Sequence, residues 1–554
     1  MPEISAPDPY TSTPSPVASG AVGAYDVEEF TPAEADVLRR YFTNLDQPVF
    51  ALVNLPEVVK GALFARYSRS HKSLRRLFLE EFVDDLDISG DESIDATTGL
   101  RRAEELYDRV FFQYGDDSVA QLGGVHLACE QASNVLTKVL EWGRIMSYLE
   151  QSTRYIRYDE RLGGRYRFYR DDDILNSTLG TRYIGEMDRI FDDYSGLITP
   201  LEDFHKELIP KRESDVDIAY RQAIRAKALD SIRGMLPAAS LSNVGIYGSG
   251  QAYEALLLRM RASALPEARI YADLMLSELR KVIPSFLKRV DLPDRGEVTS
   301  SYMADNQAAV AELSASLLDT SAPPQAETMV DLVDFDPDAE VKLVTAMLYP
   351  TTNLAEREIV RQVQAMTVDE RLAIMKAYVG DRSNRRHRPG RALERVDYRF
   401  DVLSDYGAFR DLQRHRLLTI EWQPLSTDHG YVMPEAVSIA GHTEIFERTM
   451  ERSASLYEAL AEEFPAQAPY AVALAYRVRY SMQMNARSAM HVLELRSAVQ
   501  GHPAYRYVAQ EMHRQIAERA GHRAVAEMMT FVDHSQEENL ERLDAENKAA
   551  KRTQ

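Results

Sequence analysis

The feature that most constrains this chain is an internal echo. A helical stretch runs into an arginine-bearing turn twice, at LEWGRIMS (140–147) and at DLQRHRLLT (411–419). Each is followed by a helix containing Leu-x-Leu-Arg, at Leu256–Arg259 and at Leu493–Arg496. The order is kept and the spacing is not: 115 residues separate Arg144 from Arg259, and 80 separate Arg416 from Arg496. Such an echo points to two diverged copies of one helix-rich unit. NVLTKVLEWGRIMSYL, AYEALLLRMRAS and NARSAMHVLELRSA space their apolar residues by threes and fours, as amphipathic helices do. RYRFYR (165–170) and YRFDVL (398–403) are candidate strands. Helices predominate over a few strands that do not alternate with them regularly, which favours an α+β fold.

Composition places the boundaries. Residues 1–28 are rich in Pro, Ser, Thr and Ala and read as a disordered tail. The first copy is expected over 29–290. Prolines and acids mark 291–340 as a linker with one short helix. The second copy follows over 341–534, and 535–554 is a charged tail expected to form a solvated, fraying helix. The net charge of −21 disfavours nucleic acid and anionic membranes as partners. An anionic ligand must therefore be held by local arginines. The N-terminus has neither the basic nor the apolar region of a secretory signal, and no stretch of about 18 apolar residues occurs. The single cysteine, Cys129, can form neither an intrachain disulfide nor a cysteine metal site, and histidines do not cluster at metal-ligand spacing. A cytoplasmic protein with Cys129 packed as a small apolar residue is expected.

Three clusters carry candidate chemistry. In an extended segment Glu150, Ser152 and Arg154 point to one side, where a carboxylate, a hydroxyl and a guanidinium suit a nucleotide. The same residues suit a surface ion pair. Arg414-His415-Arg416 makes a compact anion site for diphosphate or a pyrimidine oxygen, or a basic helix end that complements the dipole. On NARSAMHVLELR, Asn485, Ser488, Val492 and Arg496 share a helix face, with Arg487 and His491 beside it, as polar groups that could reach a ligand or as part of an ordinary amphipathic helix. The run Arg382 to Arg391 is the densest positive charge and reads equally as a phosphate-steering segment or a solvated loop.

Taken together these residues resemble the flavin-dependent thymidylate synthase superfamily, whose motif is RHRxxSxNExSxRY, followed by a helix with NxR and LR and a downstream Ala-Gln. The second copy resembles the first part through Arg414, His415, Arg416 and Thr419, and the later helix through Asn485, Arg487, Arg496 and Ala509-Gln510. The first copy resembles the remainder through Arg144, Ser147, Glu150, Ser152, Arg154 and Tyr155. Gly115-Asp116-Asp117-Ser118-Val119 is similar to the family's Gly-His-x-Ser-Val, and Arg233 to Pro237 to its Arg-x-x-Leu-Pro. Each copy departs where the other conforms. Trp142, Gly143 and Leu149 replace Arg, His and Asn in the first, Gly248 and Gly250 replace the later Asn and Arg, and Glu421, Trp422, Pro424 and Ser426 replace Asn, Glu, Ser and Arg in the second.

The resemblance implies a fused pseudo-heterodimer, with a nucleotide half and a flavin half. It implies reductive methylation of dUMP to dTMP with FAD, NADPH and methylenetetrahydrofolate. Arg496 and Arg414 would polarise the uracil. Glu150, Ser152, Arg154, Arg233, Arg259 and Ser147 would hold dUMP. Arg414, His415, Arg416, Asn485, Arg487 and His491 would hold FAD. A homodimer of fused pairs would stand for the family's tetramer. A rival reading is a homologue that binds FAD or nucleotide with lost or altered methylation, favoured by loss of the motif's Asn in both copies. A structural protein without ligands is the third.

Overall fold

The computed structural model describes residues 25–55, 57–83, 121, 123–319, 329–535, 543 and 547. Two four-stranded antiparallel sheets carry the fold. One has β1 (Val49–Leu52), β2 (Gly124–Ser133), β3 (Met146–Glu150) and β4 (Leu241–Ser249) in the order β1-β2-β4-β3. The other has β5 (Val330–Phe335), β6 (Asp397–Asp405), β7 (Thr419–Trp422) and β8 (Arg477–Asn485) in the order β5-β6-β8-β7. With helices packed against both, this is the α+β architecture expected, in two copies.

The copies are built alike at their strand-to-helix junctions. β2 and β6 each end on a residue that caps a helix: Ser133 accepts from the Leu136 N–H (3.0 Å) and Asp405 from the Ala408 N–H (2.9 Å). The capped helices are Asn134–Leu140 and Tyr406–Gln413. β4 and β8 end on Ser249 and Asn485, which cap Gly250–Arg261 and Ala486–Arg496. Counterparts therefore lie 272 residues apart from Ser133 and Asp405 to the ends of β3 and β7, and 236 apart from the start of the segment leading into β4 and β8 onward, as at Ser249 and Asn485.

The two copies meet about a pseudo-twofold. Pro237 and Ala473, counterparts at the 236-residue offset, pair with each other antiparallel. The Ala238 N–H donates to the Val472 carbonyl (2.8 Å) and the Leu474 N–H to that of Leu236 (2.9 Å). The long helices Gly180–Leu208 and Thr443–Glu463 pack across the same junction, where Arg448, Thr449 and Arg452 converge on Asp193. One hydrophobic core, with Cys129 fully buried in it, runs through both copies.

Several local expectations change. The 134–149 stretch is a helix only to Leu140 and becomes β3 from Met146, the turn between them passing Gly143. Residues 165–170 are not a strand: Tyr166, Phe168, Tyr169 and Arg170 are all buried, so no polar face alternates, and Arg170 donates to the Tyr166 and Phe168 carbonyls. YRFDVL does lie in β6. Within the stretch read as a linker, the helix is long, Gly296–Leu317, and β5 already belongs to the second sheet. Of the charged tail, Leu543 is buried beside Ala219 and Ile224, and Asn547 accepts from the Val216 N–H (2.9 Å). Residues 1–24, the Gly115 to Val119 motif and most of the tail lie outside the described residues.

Candidate functional site

At the junction of the copies lies a buried ionic cluster. Glu150, the last residue of β3, accepts from Lys138 Nζ (3.2 Å) and Arg410 Nη2 (2.8 Å), with Arg414 at 3.9 Å. Lys138 and Arg410 are counterparts on the two capped helices. Burial by itself would raise the Glu150 carboxyl, but Arg410, Lys138 and Arg414 outweigh it and hold the group well below the usual range. The neighbouring Glu141, bonded to Lys138, is pushed up by burial and by Glu150.

Asp411 forms a second centre. Arg414 reaches it at 2.5 Å, and Arg496 and Arg233 at 3.5 Å each. These charges overcome the cost of burial and keep the carboxylate ionised far below its ordinary range. Arg154 lies close by, bidentate on Asp230 (2.7 and 2.6 Å) and donating to the Tyr505 hydroxyl (3.1 Å). Arg496 Nε donates to His415 Nε2 (2.8 Å), so that nitrogen is an unprotonated acceptor. Burial, then Arg496, drives the His415 pKa well down, which keeps the ring neutral.

Glu150, Ser152, Arg154 and Arg233 of the first copy thus line one pocket with Arg410, Asp411 and Arg414 of the second. The expected alternation along a strand is not what gathers them. β3 stops at Glu150 and the chain turns, with the Tyr155 N–H bonded to the Ser152 carbonyl (3.2 Å). The pocket encloses only about 20 Å³, closed down by its own ion pairs. Three buried donors on its lining residues, Arg233 Nη2, Arg410 Nε and Arg414 Nε, have no acceptor among the described residues. At Gly407 a Cβ would sit 2.9 Å from Asp405 Oδ1, the capping carboxylate, and in ordinary contact with Arg233 Nη2 at 3.4 Å.

A wider cavity of about 510 Å³ opens beside it. Trp142, Arg144 and Arg259 line it from the first copy, and His415, Arg416 and Thr419 from the second. The arginines reach across reciprocally: Arg144 Nη2 donates to Thr419 Oγ1 (3.0 Å), and Arg416 Nη1 to Ser147 Oγ (3.4 Å). Arg144 and Arg416 are counterparts, as are Ser147 and Thr419. The Arg259 guanidinium lies over the Trp142 ring at 5.2 Å, so the structure places Arg259 here and not with Arg154 and Arg233.

The remaining candidate residues sit along helix Ala486–Arg496. Asn485 is its cap and bonds the Ser488 N–H (2.9 Å). Arg487 is held by Glu394 and the Pro389 carbonyl, both at 3.0 Å. His491 is 3.4 Å from Arg388 and stands edge-on to His415, with centroids 5.9 Å apart. Burial and Arg388 push the His491 pKa down to about 4, leaving it neutral near pH 7. The basic run is anchored on this helix as well, through a buried Arg382–Glu494 pair (2.5 Å). His415 and His491 thus join the ionic pocket to the helix, while Arg487 and Asn485 lie toward its other end.

Reading the sequence missed Lys138, Arg410, Asp411, Asp230 and Tyr505. Arg410 stands one helical turn before Arg414, and Asp230 three residues before Arg233, so helical spacing could have raised both. Tyr505 arrives from helix Pro503–Glu518 with no local signal.

Among the described residues no helix is long and apolar enough to cross a membrane. Comparison with known proteins gives one family model, "Thymidylate synthase complementing protein", which matches twice, at 62–285 and 331–522. The chain is 40% identical over 495 residues to a UPF0159 protein of Chlamydia pneumoniae, covering 88% of this chain and 93% of the relative. It is 38% identical over 526 residues to one of Chlamydia muridarum (94% and 98%) and 32% identical over 501 residues to one of Thermoplasma acidophilum (86% and 95%). Two sheets of one topology, paired about a pseudo-twofold and each matched by the same family model, establish that the chain belongs to the thymidylate synthase complementing protein family as a tandem of two diverged copies.

Proposed function

We propose that this chain is a flavin-dependent thymidylate synthase that converts dUMP to dTMP, with FAD, NADPH and methylenetetrahydrofolate. The observation that carries the reading is the convergence of Glu150, Ser152, Arg154 and Arg233 from one copy with Arg414 from the other on a single pocket, where buried guanidinium donors lack acceptors among the described residues. Those donors fit an anion. Arg154, Arg233 and Ser152 bind the phosphate, and Arg414 and Arg496 polarise the uracil edge. Neutral His415 and His491, with Arg416, Asn485 and Arg487, hold FAD. Bound flavin and folate supply the reducing equivalents and the one-carbon unit, and the protein orients and polarises. A second copy of the chain is the expected partner, and the exposed stripe Tyr302, Val310, Leu313 and Leu317 on helix Gly296–Leu317 offers it an apolar face.

One observation favours a second reading, a homologue that keeps the ligands without the methylation. Asp411 already occupies the centre of the arginines, so a phosphate must displace it. The test is the visible spectrum of the purified protein with FAD supplied and dUMP then titrated in. A flavin band that shifts with dUMP, lost in Arg154→Ala, supports the shared site. His491→Ala should weaken FAD and spare dUMP, and is a cleaner flavin variant than Arg416→Ala because Arg416 also lines the wide cavity. No flavin band at saturating FAD refutes both readings. A flavin band with no turnover of dUMP leaves only the second.

A further inference from the structure

The pseudo-twofold makes the two sides of the copy junction comparable residue by residue. On one side the loop residue Arg414 meets the strand residue Glu150 at 3.9 Å. Their counterparts on the other side are Trp142 and Trp422, whose rings meet edge-on with centroids 5.2 Å apart. Similarly, Arg487 and His491 of helix Ala486–Arg496 correspond to Gln251 and Ala255 of helix Gly250–Arg261, both of which line the wide cavity. On this side the helix lacks the Arg and His assigned above to flavin, while His415 and Arg416 still line the cavity. It has not closed: it holds about 510 Å³, whereas the ionic pocket holds about 20 Å³.

Arg144, Arg259 and Arg416 have no carboxylate partner among the described residues, in a chain of net charge −21 where most arginines near the junction are paired. Glu141 and Gln413, counterparts that both line the cavity, are 1% and 2% exposed. The Oε1 of each has no donor among the described residues. Trp142 offers an aromatic wall, with Met146, Leu418 and Ile420 also in the lining. A ligand that suits both the guanidiniums and this wall has a flat heteroaromatic ring and a negative charge.

We propose that the wide cavity is a second nucleotide site, which takes a nucleoside phosphate with its base against Trp142 and its phosphate on Arg259, Arg144 and Arg416. It is separate from the ionic pocket, because Trp142, Gln251 and Arg259 line this cavity and not that one, and it shares His415 and Arg416 with the flavin reading, so a nucleotide here competes with FAD for those two residues.

The chain supplies its own reporter. Its only two tryptophans are Trp142 and Trp422, so the intrinsic emission of the full-length protein reads this site. Without FAD, tryptophan emission is followed while AMP, dUMP or ribose 5-phosphate is added. A saturable change with AMP or dUMP is expected, with the better of the two identifying a purine or a pyrimidine site, and ribose 5-phosphate at least tenfold weaker. Arg259→Ala should weaken that binding at least tenfold and Arg259→Lys less, while Arg154→Ala leaves it unchanged. Gln251→Leu gives a second cavity variant should Arg259→Ala fold poorly, and should also weaken binding. No saturable change with either nucleotide up to millimolar concentration overturns the proposal. So does a change that Arg154→Ala abolishes and Arg259→Ala leaves intact, since the nucleotide then sits in the ionic pocket.

Discussion

Replacing Asp411 with Asn tests whether the ionic pocket is an anion site held closed by an internal carboxylate. Two unit charges 3.5 Å apart attract by roughly 5 kcal/mol at an effective dielectric constant of about 20. The three arginine contacts of Asp411 do not add to three times that, because removing it leaves other partners in place. Arg414 keeps Glu150, and Arg496 keeps His415. Arg233 loses the one carboxylate it is bonded to among the described residues, with Asp405 and Asp230 left as more distant charges. One broken buried pair, about 3–5 kcal/mol of stability, is therefore the expected loss.

The loss should be reversible by an anion. In wild type, inorganic phosphate competes with Asp411; in the variant it finds the guanidiniums free. At a concentration about 100 times its Kd, phosphate should restore about 2.7 kcal/mol, and its apparent affinity should exceed that of wild type at least tenfold. The assay is thermal unfolding across a phosphate series, with sulfate as a second anion. The acid limb is a further check. Because the folded Asp411 carboxyl is held below its ordinary value of 3.8, the stability it contributes is present above that value and is lost as pH falls further. The variant should lack that part of the loss. Equal phosphate dependence in the two proteins, or a destabilisation under about 1 kcal/mol, would refute the reasoning.

Two further outcomes are expected. Burial raises the Glu267 carboxyl to about 7 although Ser133 and Tyr470 donate to it, so the fold favours its protonated form. Stability should then fall as pH rises from the unfolded value of 4.5 to about 7, by roughly 3 kcal/mol, and melting curves of Glu267→Gln should be flatter over that range. A Cβ on Gly234 would lie 3.0 Å from the Ala475 Cβ, where the copies pair, so Gly234→Val should cost about 1–3 kcal/mol by overpacking; chemical denaturation with no loss would show that the junction yields freely.

How far the sequence carried is clearest at the internal repeat. Its order was legible and its spacing misled for two physical reasons. The Leu-x-Leu-Arg marks are not counterparts: Arg496 corresponds to Met260, and Arg259 to Leu495. The first copy is also longer between its third and fourth strands, with 90 residues between Glu150 and Leu241 and 54 between Trp422 and Arg477, where helix Asp217–Ile232 is added. The RHR turn, the later Asn-x-Arg helix and the Arg-x-x-Leu-Pro segment were readable because each is a local string. The buried charges were not. Lys138, Arg410 and Asp411 lie in ordinary amphipathic helices, and only the approach of the other copy turns those helix faces into an interior. The length of helix Gly296–Leu317 was hidden as well, since it is largely exposed and its Ala- and Ser-rich sequence has little apolar periodicity.

Fusion of the two copies explains why the junction can hold an ionic and an aromatic side at once. In a homodimer every loop-to-strand contact occurs twice and identically. A subunit carrying the Arg414 loop and the Glu150 strand would bury that ion pair on both sides, and one carrying Trp142 and Trp422 would bury two aromatic pairs. Neither arrangement could be altered at one site without altering the other. In a single chain each position varies alone, so Asp411 can stand opposite Val139 and Arg414 opposite Trp142. The desolvation of a buried charge network is then borne on one side only, where Lys138 and Arg410 satisfy Glu150. The other side keeps an open cavity whose arginines have no carboxylate partner among the described residues. A composite pocket needs each group of the motif from one copy only, so once the partner copy is permanently attached the two copies are free to depart from the motif at complementary positions.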